Sequence, residues 1–83
     1  MALEIYVEAG CWSCDKALVL AEGIARRFPE LIVEVIDIGD VESAIPDDVF
    51  AVPTYVLNGK VISLGNPSEG DLRELVETAL FSG

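Results

Sequence analysis

Hydrophobic and polar residues alternate from residue 3 to residue 8, which is the pattern of a half-buried β-strand. Leu3, Ile5 and Val7 would share one face of this strand. From Trp12 to Phe28 the apolar period changes to three and four residues, which predicts an amphipathic helix. The residue after it is a proline, which stops the helix. The buried stripe of the predicted helix consists of Ala17, Leu20, Ala21, Ile24 and Phe28.

Three further hydrophobic segments predict strands. The first is nearly continuous from Leu31 to Ile38 and rich in β-branched residues, which is typical of a parallel strand covered on both faces. The other two, Val52–Leu57 and Val61–Leu64, are separated by Asn58-Gly59, which predicts a tight hairpin turn. Residues 39–50 predict only a short helix or an irregular link.

A second helix opens at Ser68, where Asp71 three residues later completes a partial capping box. Its predicted buried stripe consists of Leu72, Leu75, Val76, Ala79 and Leu80. The order of elements is therefore βαβ, a short link that is helical or irregular, then ββα. We expect one α/β domain spanning residues 1–83, with a four-stranded mixed sheet, helices on both faces, and its first two strands parallel.

Cys11 and Cys14 are the only cysteines of the chain and lie where the first strand gives way to the first helix. Two cysteines three residues apart at a helix start are neighbours in space, so they can close a disulfide and reopen it. The free N–H groups and the positive dipole end of the helix also favour a thiolate at the first cysteine. A CxxC motif inside a βαβ pattern therefore predicts a dithiol redox site.

The charge balance excludes several function classes. The chain has 15 acidic residues, 5 basic residues and no histidine, for a net charge of −10. Nucleic acids and anionic membranes require basic patches, so neither is expected as a partner. A cysteine hydrolase would lack its usual histidine base.

No apolar run approaches the ~20 residues of a membrane span, and no signal peptide is recognisable at the N-terminus, so we expect a cytoplasmic protein.

Three motifs, in this order and spacing, resemble the thioredoxin superfamily in its compact, glutaredoxin-like form. They are Cys11-Trp12-Ser13-Cys14 after the first strand, Val52-Pro53-Thr54 opening the third, and Asn58-Gly59-Lys60 at the hairpin. The resemblance covers essentially the whole chain. It implies a thioredoxin-like fold and a protein-disulfide oxidoreductase that transfers electrons without a bound cofactor or metal.

The resemblance also implies a site around the strand proline. In this family the bond before that proline is cis and faces the CxxC motif, so a cis Val52–Pro53 bond is expected beside the cysteines. Val52, Pro53 and Thr54 would then bind an extended segment of the substrate by strand addition. The alternative is an ordinary edge-strand proline. Tyr55 is interpreted as strand packing rather than as part of the site.

Thiol–disulfide exchange needs an exposed thiolate and a second thiol that resolves the mixed disulfide. Cys11, in the first helical turn, is the predicted nucleophile, and Cys14, one turn inward and more buried, is the predicted resolving thiol. The helix terminus and the neighbouring S–H group should lower the pKa of Cys11. Trp12 is expected to be a partly exposed lid over the sulfurs that contacts partners, and Ser13 to help cap the helix. Both residues are assigned to the substrate-binding site.

The chain departs from the family at positions that affect partner choice. Ile5 occupies the place where many thioredoxins carry a buried acid, and no basic residue precedes the CxxC motif. The segment Gly65-Asn66-Pro67-Ser68 matches the glutathione-binding segment of glutaredoxins only in part. These differences argue against glutathione and favour protein disulfides as substrates, with a dedicated reductase. We expect a monomer.

Two other functions are compatible with the same residues. The first is a redox-inactive thioredoxin-like module that only binds proteins. The second is a zinc or iron–sulfur site bridging two chains, since one CxxC motif supplies only two of the ligands that such a site needs.

Overall fold

The computed structural model describes residues 1–39 and 51–81 of the chain. The elements in this part are β1 (Ala2–Val7), α1 (Trp12–Arg27), β2 (Ile32–Asp37), β3 (Thr54–Leu57), β4 (Lys60–Leu64) and α2 (Glu69–Phe81). Each predicted strand and helix is present, with small differences at its ends. The predicted link at residues 39–50 falls outside the described residues except for Gly39.

The four strands form one mixed sheet in the order β2-β1-β3-β4, as expected. Strand β1 runs parallel to β2 and antiparallel to β3, which in turn pairs antiparallel with β4. In the register of β1 with β3, Tyr6 pairs with Thr54. The end of β1, from which the chain leads to Cys11, therefore lies beside the start of β3, which follows Pro53.

The main core lies between the helices and the sheet face that carries Leu3, Ile5 and Val7. The whole predicted stripe of α1 is buried there, which confirms that prediction. Helix α2 adds Leu72 and Val76 to the same core. Both helices described in residues 1–39 and 51–81 therefore pack in one core on one face of the sheet. The expected helix on the other face would have to come from the link at residues 39–50, which lies outside the described residues except for Gly39. Neither of these helices is long and apolar enough to cross a membrane.

Two predictions about burial are wrong. Strand β2 is an edge strand, and Ile32 and Val35 are 57% and 41% exposed rather than covered on both faces. Its β-branched run suits a pleated strand and does not by itself report burial. In α2, Leu75 is 38% exposed because the buried face of the helix is narrow and centres on Leu72 and Val76.

The two turns that hold the sheet and α2 follow the predicted chemistry. Asn58 and Gly59 have φ angles of 52° and 82°, the left-handed conformation that a tight hairpin requires. The Asn58 side chain also accepts a hydrogen bond from the Ala2 N–H at 3.0 Å, which ties the hairpin to β1. At the start of α2, the Ser68 hydroxyl accepts a hydrogen bond from the Asp71 N–H at 3.1 Å, as an N-cap does.

The burial difference within α2 gives a matched test of the core. Leu72→Ala removes a side chain that is 1% exposed and should lower the free energy of unfolding by about 2–5 kcal/mol. Leu75→Ala changes the same residue type on the same helix and should cost less than half as much, because Leu75 keeps much of its contact with water. Urea unfolding monitored by circular dichroism measures both. Equal losses would contradict the described packing of α2.

Candidate active site

Cys11 is positioned by a short turn between β1 and α1. Gly10 has a φ of 84°, and the Cys11 N–H donates a hydrogen bond to the Glu8 carbonyl at 3.3 Å. Cys11 itself is the N-cap residue of α1, with the extended backbone (φ −88°, ψ 107°) that this position requires. The Cys11 sulfur lies at the helix start and makes no side-chain capping hydrogen bond there.

The two thiols differ in accessibility. Cys11 is half-buried, whereas Cys14 is 5% exposed and belongs to the core. Both are free thiols in this structure. The order of exposure agrees with the sequence-based assignment of Cys11 as the attacking thiol and Cys14 as the resolving thiol.

The surroundings of Cys11 lower the pKa of its thiol. The largest cause is a hydrogen bond from the Cys14 side chain, and the second is a hydrogen bond from Ser13. The Ser13 hydroxyl lies 3.3 Å from the Cys11 sulfur. Backbone N–H groups of Cys14 and Ser13 act in the same direction, while partial desolvation opposes them. The direction is the one expected from the helix start and the neighbouring S–H group.

The pKa of Cys14 is raised instead. Burial is the largest cause, followed by the hydrogen bond to Cys11. The negative charges of Cys11 and Asp15 add to the effect, and a backbone hydrogen bond from Glu8 opposes it. The pair therefore favours one proton on the buried sulfur and negative charge on the accessible sulfur.

The two residues between the cysteines have roles that differ from those expected. Trp12 is 86% exposed, so it projects into solvent and covers the sulfurs very little, which corrects the lid interpretation. The Ser13 hydroxyl contacts the Cys11 sulfur, a contact that the predicted capping and substrate-binding roles do not include. The motif thus presents an apolar side chain outward and a hydrogen-bond donor to the thiolate.

The Val52-Pro53-Thr54 segment lies where the sheet register places it, next to the end of β1. The Val52–Pro53 peptide bond is cis, and the Pro53 carbonyl accepts a hydrogen bond from the Gly65 N–H at 2.7 Å. Val52 is half-buried against the core. Thr54 is fully buried and its hydroxyl donates to the Ala51 carbonyl, so its side chain stabilises this turn and is not available to a substrate.

Sequence reasoning missed a link between this region and the CxxC motif. The buried Tyr55 hydroxyl donates a hydrogen bond to Asn66 Oδ1 at 2.8 Å, and Asn66 Nδ2 donates to the Ser13 carbonyl at 2.7 Å. Burial raises the pKa of Tyr55 to about 12, and the charge of Cys14 contributes to the rise. One feature of the sequence could have indicated this contact, because a tyrosine packed in a strand needs a hydrogen-bond partner for its hydroxyl.

A small cavity of about 190 Å³ adjoins the cysteines. It is lined by Val7, Glu8, Ala9, Gly10, Cys11, Cys14, Asp15, Leu18 and Asp37. A larger groove of about 620 Å³ lies between β4 and α2, but neither cysteine lines it. Among residues 1–39 and 51–81, no group of three or more histidine, cysteine or acidic side chains is arranged to hold a metal ion.

The sequence matches the family model described as a thioredoxin domain over residues 1–77. The chain belongs to the thioredoxin family. It is 30% identical over 80 residues to a thioredoxin of Methanocaldococcus jannaschii, covering 94% of each chain. It is 34% identical over 76 residues to a probable thioredoxin of Methanothermobacter thermautotrophicus, covering 89% of each. These relatives have almost the same compact length.

Solved thioredoxin structures share the fold. Fasciola hepatica thioredoxin superposes with a TM-score of 0.73 at 25% identity, covering 92% of this chain and 77% of that one. Oxidised Plasmodium falciparum thioredoxin gives 0.73 at 18% identity, covering 94% and 79%. The predicted thioredoxin-like fold is confirmed. At the level of reaction class, the thioredoxin relatives and the Cys11–Cys14 pair support thiol–disulfide oxidoreductase chemistry.

The Ser13 contact predicts a pH effect. A lowered pKa means that Cys11 is alkylated by iodoacetamide at lower pH than a free thiol, and Ser13→Ala should move the midpoint of this profile to higher pH because a donor to the thiolate is lost. Mass spectrometry identifies the alkylated cysteine. Ser68→Ala, which removes the capping hydroxyl of α2, is the control and should leave the midpoint unchanged. The same profile for the parent and Ser13→Ala would show that the hydroxyl does not stabilise the thiolate.

Proposed function

We propose that this thioredoxin-family protein exchanges electrons with disulfides of other proteins through a reversible Cys11–Cys14 dithiol–disulfide cycle. The observation that carries the proposal is that the two thiols differ in exposure and in the direction of their pKa shifts. Cys11 is accessible and has a lowered pKa, whereas Cys14 is buried and has a raised one. The first step needs an accessible thiolate, which Cys11 supplies, and the second needs a neighbouring thiol that does not react with the substrate first, which the buried Cys14 supplies.

In the reducing direction, the Cys11 thiolate attacks one sulfur of the substrate disulfide. A Cys11–substrate mixed disulfide forms, and the other substrate sulfur leaves as a thiolate that takes up a proton. Cys14 then loses its proton and attacks the Cys11 sulfur, which releases the second substrate thiol. Two electrons have moved to the substrate, and the protein holds a Cys11–Cys14 disulfide.

The causes of the two pKa shifts explain why the second step follows the first. While Cys11 is a thiolate, its hydrogen bond and its charge both keep the proton on Cys14. Once the Cys11 sulfur is bonded to the substrate it is neutral, and both effects disappear. Cys14 therefore becomes easier to deprotonate when its attack is needed, with burial and the charge of Asp15 still opposing its ionisation.

Substrate contacts follow from the exposed parts of the site. The projecting Trp12 ring offers an apolar anchor, and aromatic side chains are favoured at protein interfaces. The backbone of Val52, which precedes the cis bond to Pro53, offers an edge for an extended segment. Glu8 and Asp15 border the cysteine cavity, so neutral or basic surroundings of the substrate disulfide are favoured over acidic ones.

The proposal extends to the partners and setting of the cycle. A dedicated reductase returns electrons to the Cys11–Cys14 disulfide, and glutathione is not the electron donor because no basic residue precedes the CxxC motif. The chain works as a single domain and as a monomer in the cytoplasm. A net charge of −10 supports the monomer, since two copies repel each other.

An equilibrium titration in dithiothreitol buffers tests the cycle. Thiol trapping at each poise should show a reversible two-electron transition, with a midpoint in the range of roughly −270 to −120 mV found for thioredoxin-like proteins. The position of the midpoint then distinguishes a reductant from an oxidant. If no reversible intramolecular disulfide forms, the proposal fails, and metal content after anaerobic purification tests the bridged-metal alternative.

Single-cysteine variants separate the roles of the two thiols. Cys14→Ser should accumulate a mixed disulfide with a disulfide-bonded test protein, because Cys11 attacks and nothing resolves the product. Cys11→Ser should form little, since the remaining thiol is buried and has a raised pKa. Non-reducing gels with mass spectrometry measure the adducts, and both variants should lose turnover. Preferential trapping through Cys14 in Cys11→Ser would reverse the assignment.

A further inference from the structure

Asn66 connects three elements of the structure at the CxxC motif. It lies in the loop between β4 and α2, its Nδ2 donates to the Ser13 carbonyl in the first turn of α1, and its Oδ1 accepts from Tyr55 on β3. The amide orientation is fixed by chemistry, because a carbonyl oxygen such as that of Ser13 can only accept a hydrogen bond. Nδ2 must therefore face Ser13, and Oδ1 must face Tyr55.

The Ser13 carbonyl belongs to the same peptide group as the Cys14 N–H. One end of this group accepts from Asn66 at 2.7 Å, and the other donates to the Cys11 carbonyl at 3.1 Å. Hydrogen bonds at both ends fix the plane of the peptide group. A bond to the carbonyl also polarises the N–H and makes it a stronger partner for nearby negative charge.

That N–H faces the end of the helix at which Cys11 is the N-cap residue. The N–H groups of a first helical turn, including that of Cys14, carry the positive partial charge that stabilises an anion at this end. The Cys14 N–H is one of the groups that favour the Cys11 thiolate. Asn66 thus acts on the sulfur through a peptide group, without touching the sulfur.

The hydrogen bond from the Tyr55 hydroxyl to Oδ1 fixes the orientation of the Asn66 side chain. Its side chain is fully buried in the core, so the hydroxyl has no water to bond with and a single direction to donate. Strand β3 therefore fixes the Asn66 side chain through Tyr55, and Asn66 fixes the first turn of α1 through the Ser13 carbonyl.

We propose that Asn66, held by Tyr55, is a positioning residue that orients and polarises the Ser13–Cys14 peptide group and thereby stabilises the Cys11 thiolate. The role deepens the proposed dithiol cycle and depends on it for its biological purpose. The effect on the thiolate itself can be measured without any disulfide substrate.

The test is the pH profile of Cys11 alkylation by iodoacetamide in the reduced protein. In Asn66→Ala the midpoint should move to higher pH, and the rate at pH 6 should fall by about twofold to tenfold, the range expected for the loss of one hydrogen bond. Tyr55→Phe keeps the ring and the amide but removes the donor to Oδ1, so it should shift the midpoint in the same direction by less.

Asn58→Gly is the matched control. Asn58 also bonds the backbone through its amide, at the opposite end of β3, and its φ of 52° is one that glycine adopts freely. This variant should lose stability but keep the parent pH profile, which separates a local effect on the thiolate from general loosening. Thermal unfolding establishes that each variant is folded under the assay conditions.

A midpoint for Asn66→Ala that coincides with the parent would overturn the inference. If Asn66→Ala does not fold, Asn66→Ser and Tyr55→Phe are judged by the same criterion. The redox titration of the parent is a separate outcome: failure to form a reversible disulfide would overturn the proposed cycle and leave the alkylation result standing. A reversible disulfide with unchanged variant profiles would support the cycle and reject the role of Asn66.

Discussion

The antiparallel pairing of β1 with β3 is the constraint on which the candidate site depends. Because Tyr6 pairs with Thr54, the turn that leads to Cys11 and the turn that contains Pro53 lie at the same end of the sheet. One turn leads into the helix start that carries the two sulfurs, and the other carries the cis Val52–Pro53 bond. The central position of β1 makes their arrangement rigid, because β1 is hydrogen-bonded on both sides.

The difference in chemistry between the two cysteines follows from their positions three residues apart at the start of α1. Cys11 and Cys14 are the same residue type, yet one ends up as an accessible N-cap residue and the other as a core residue one turn later. The protein needs no histidine to make them different. Burial of one sulfur, and hydrogen bonds donated to the other, place the negative charge on the accessible atom.

The parts of the fold that could be predicted are those set by local pattern. The alternation of Leu3, Ile5 and Val7 and the stripe of α1 gave the correct elements, since periodicity reports which face is buried. The edge position of β2 could not be derived, because a β-branched run looks alike in edge and central strands. Trp12, for its part, belongs to an apolar residue type but projects into solvent, and the direction of a side chain at a helix start depends on tertiary structure.

The candidate site was predictable in its motif and not in its supporting network. Motif spacing located the cysteines and the proline segment, whereas Asn66 contacts Ser13 only through the folded structure. This arrangement has a consequence for divergence within the family. Gly65 has a φ of 86°, which other residues rarely adopt, so this glycine fixes the geometry of the loop that carries Asn66. The proposed role of Asn66 implies that a substitution in this loop changes the acidity of the thiol, so that two relatives with identical CxxC motifs need not be equally reactive.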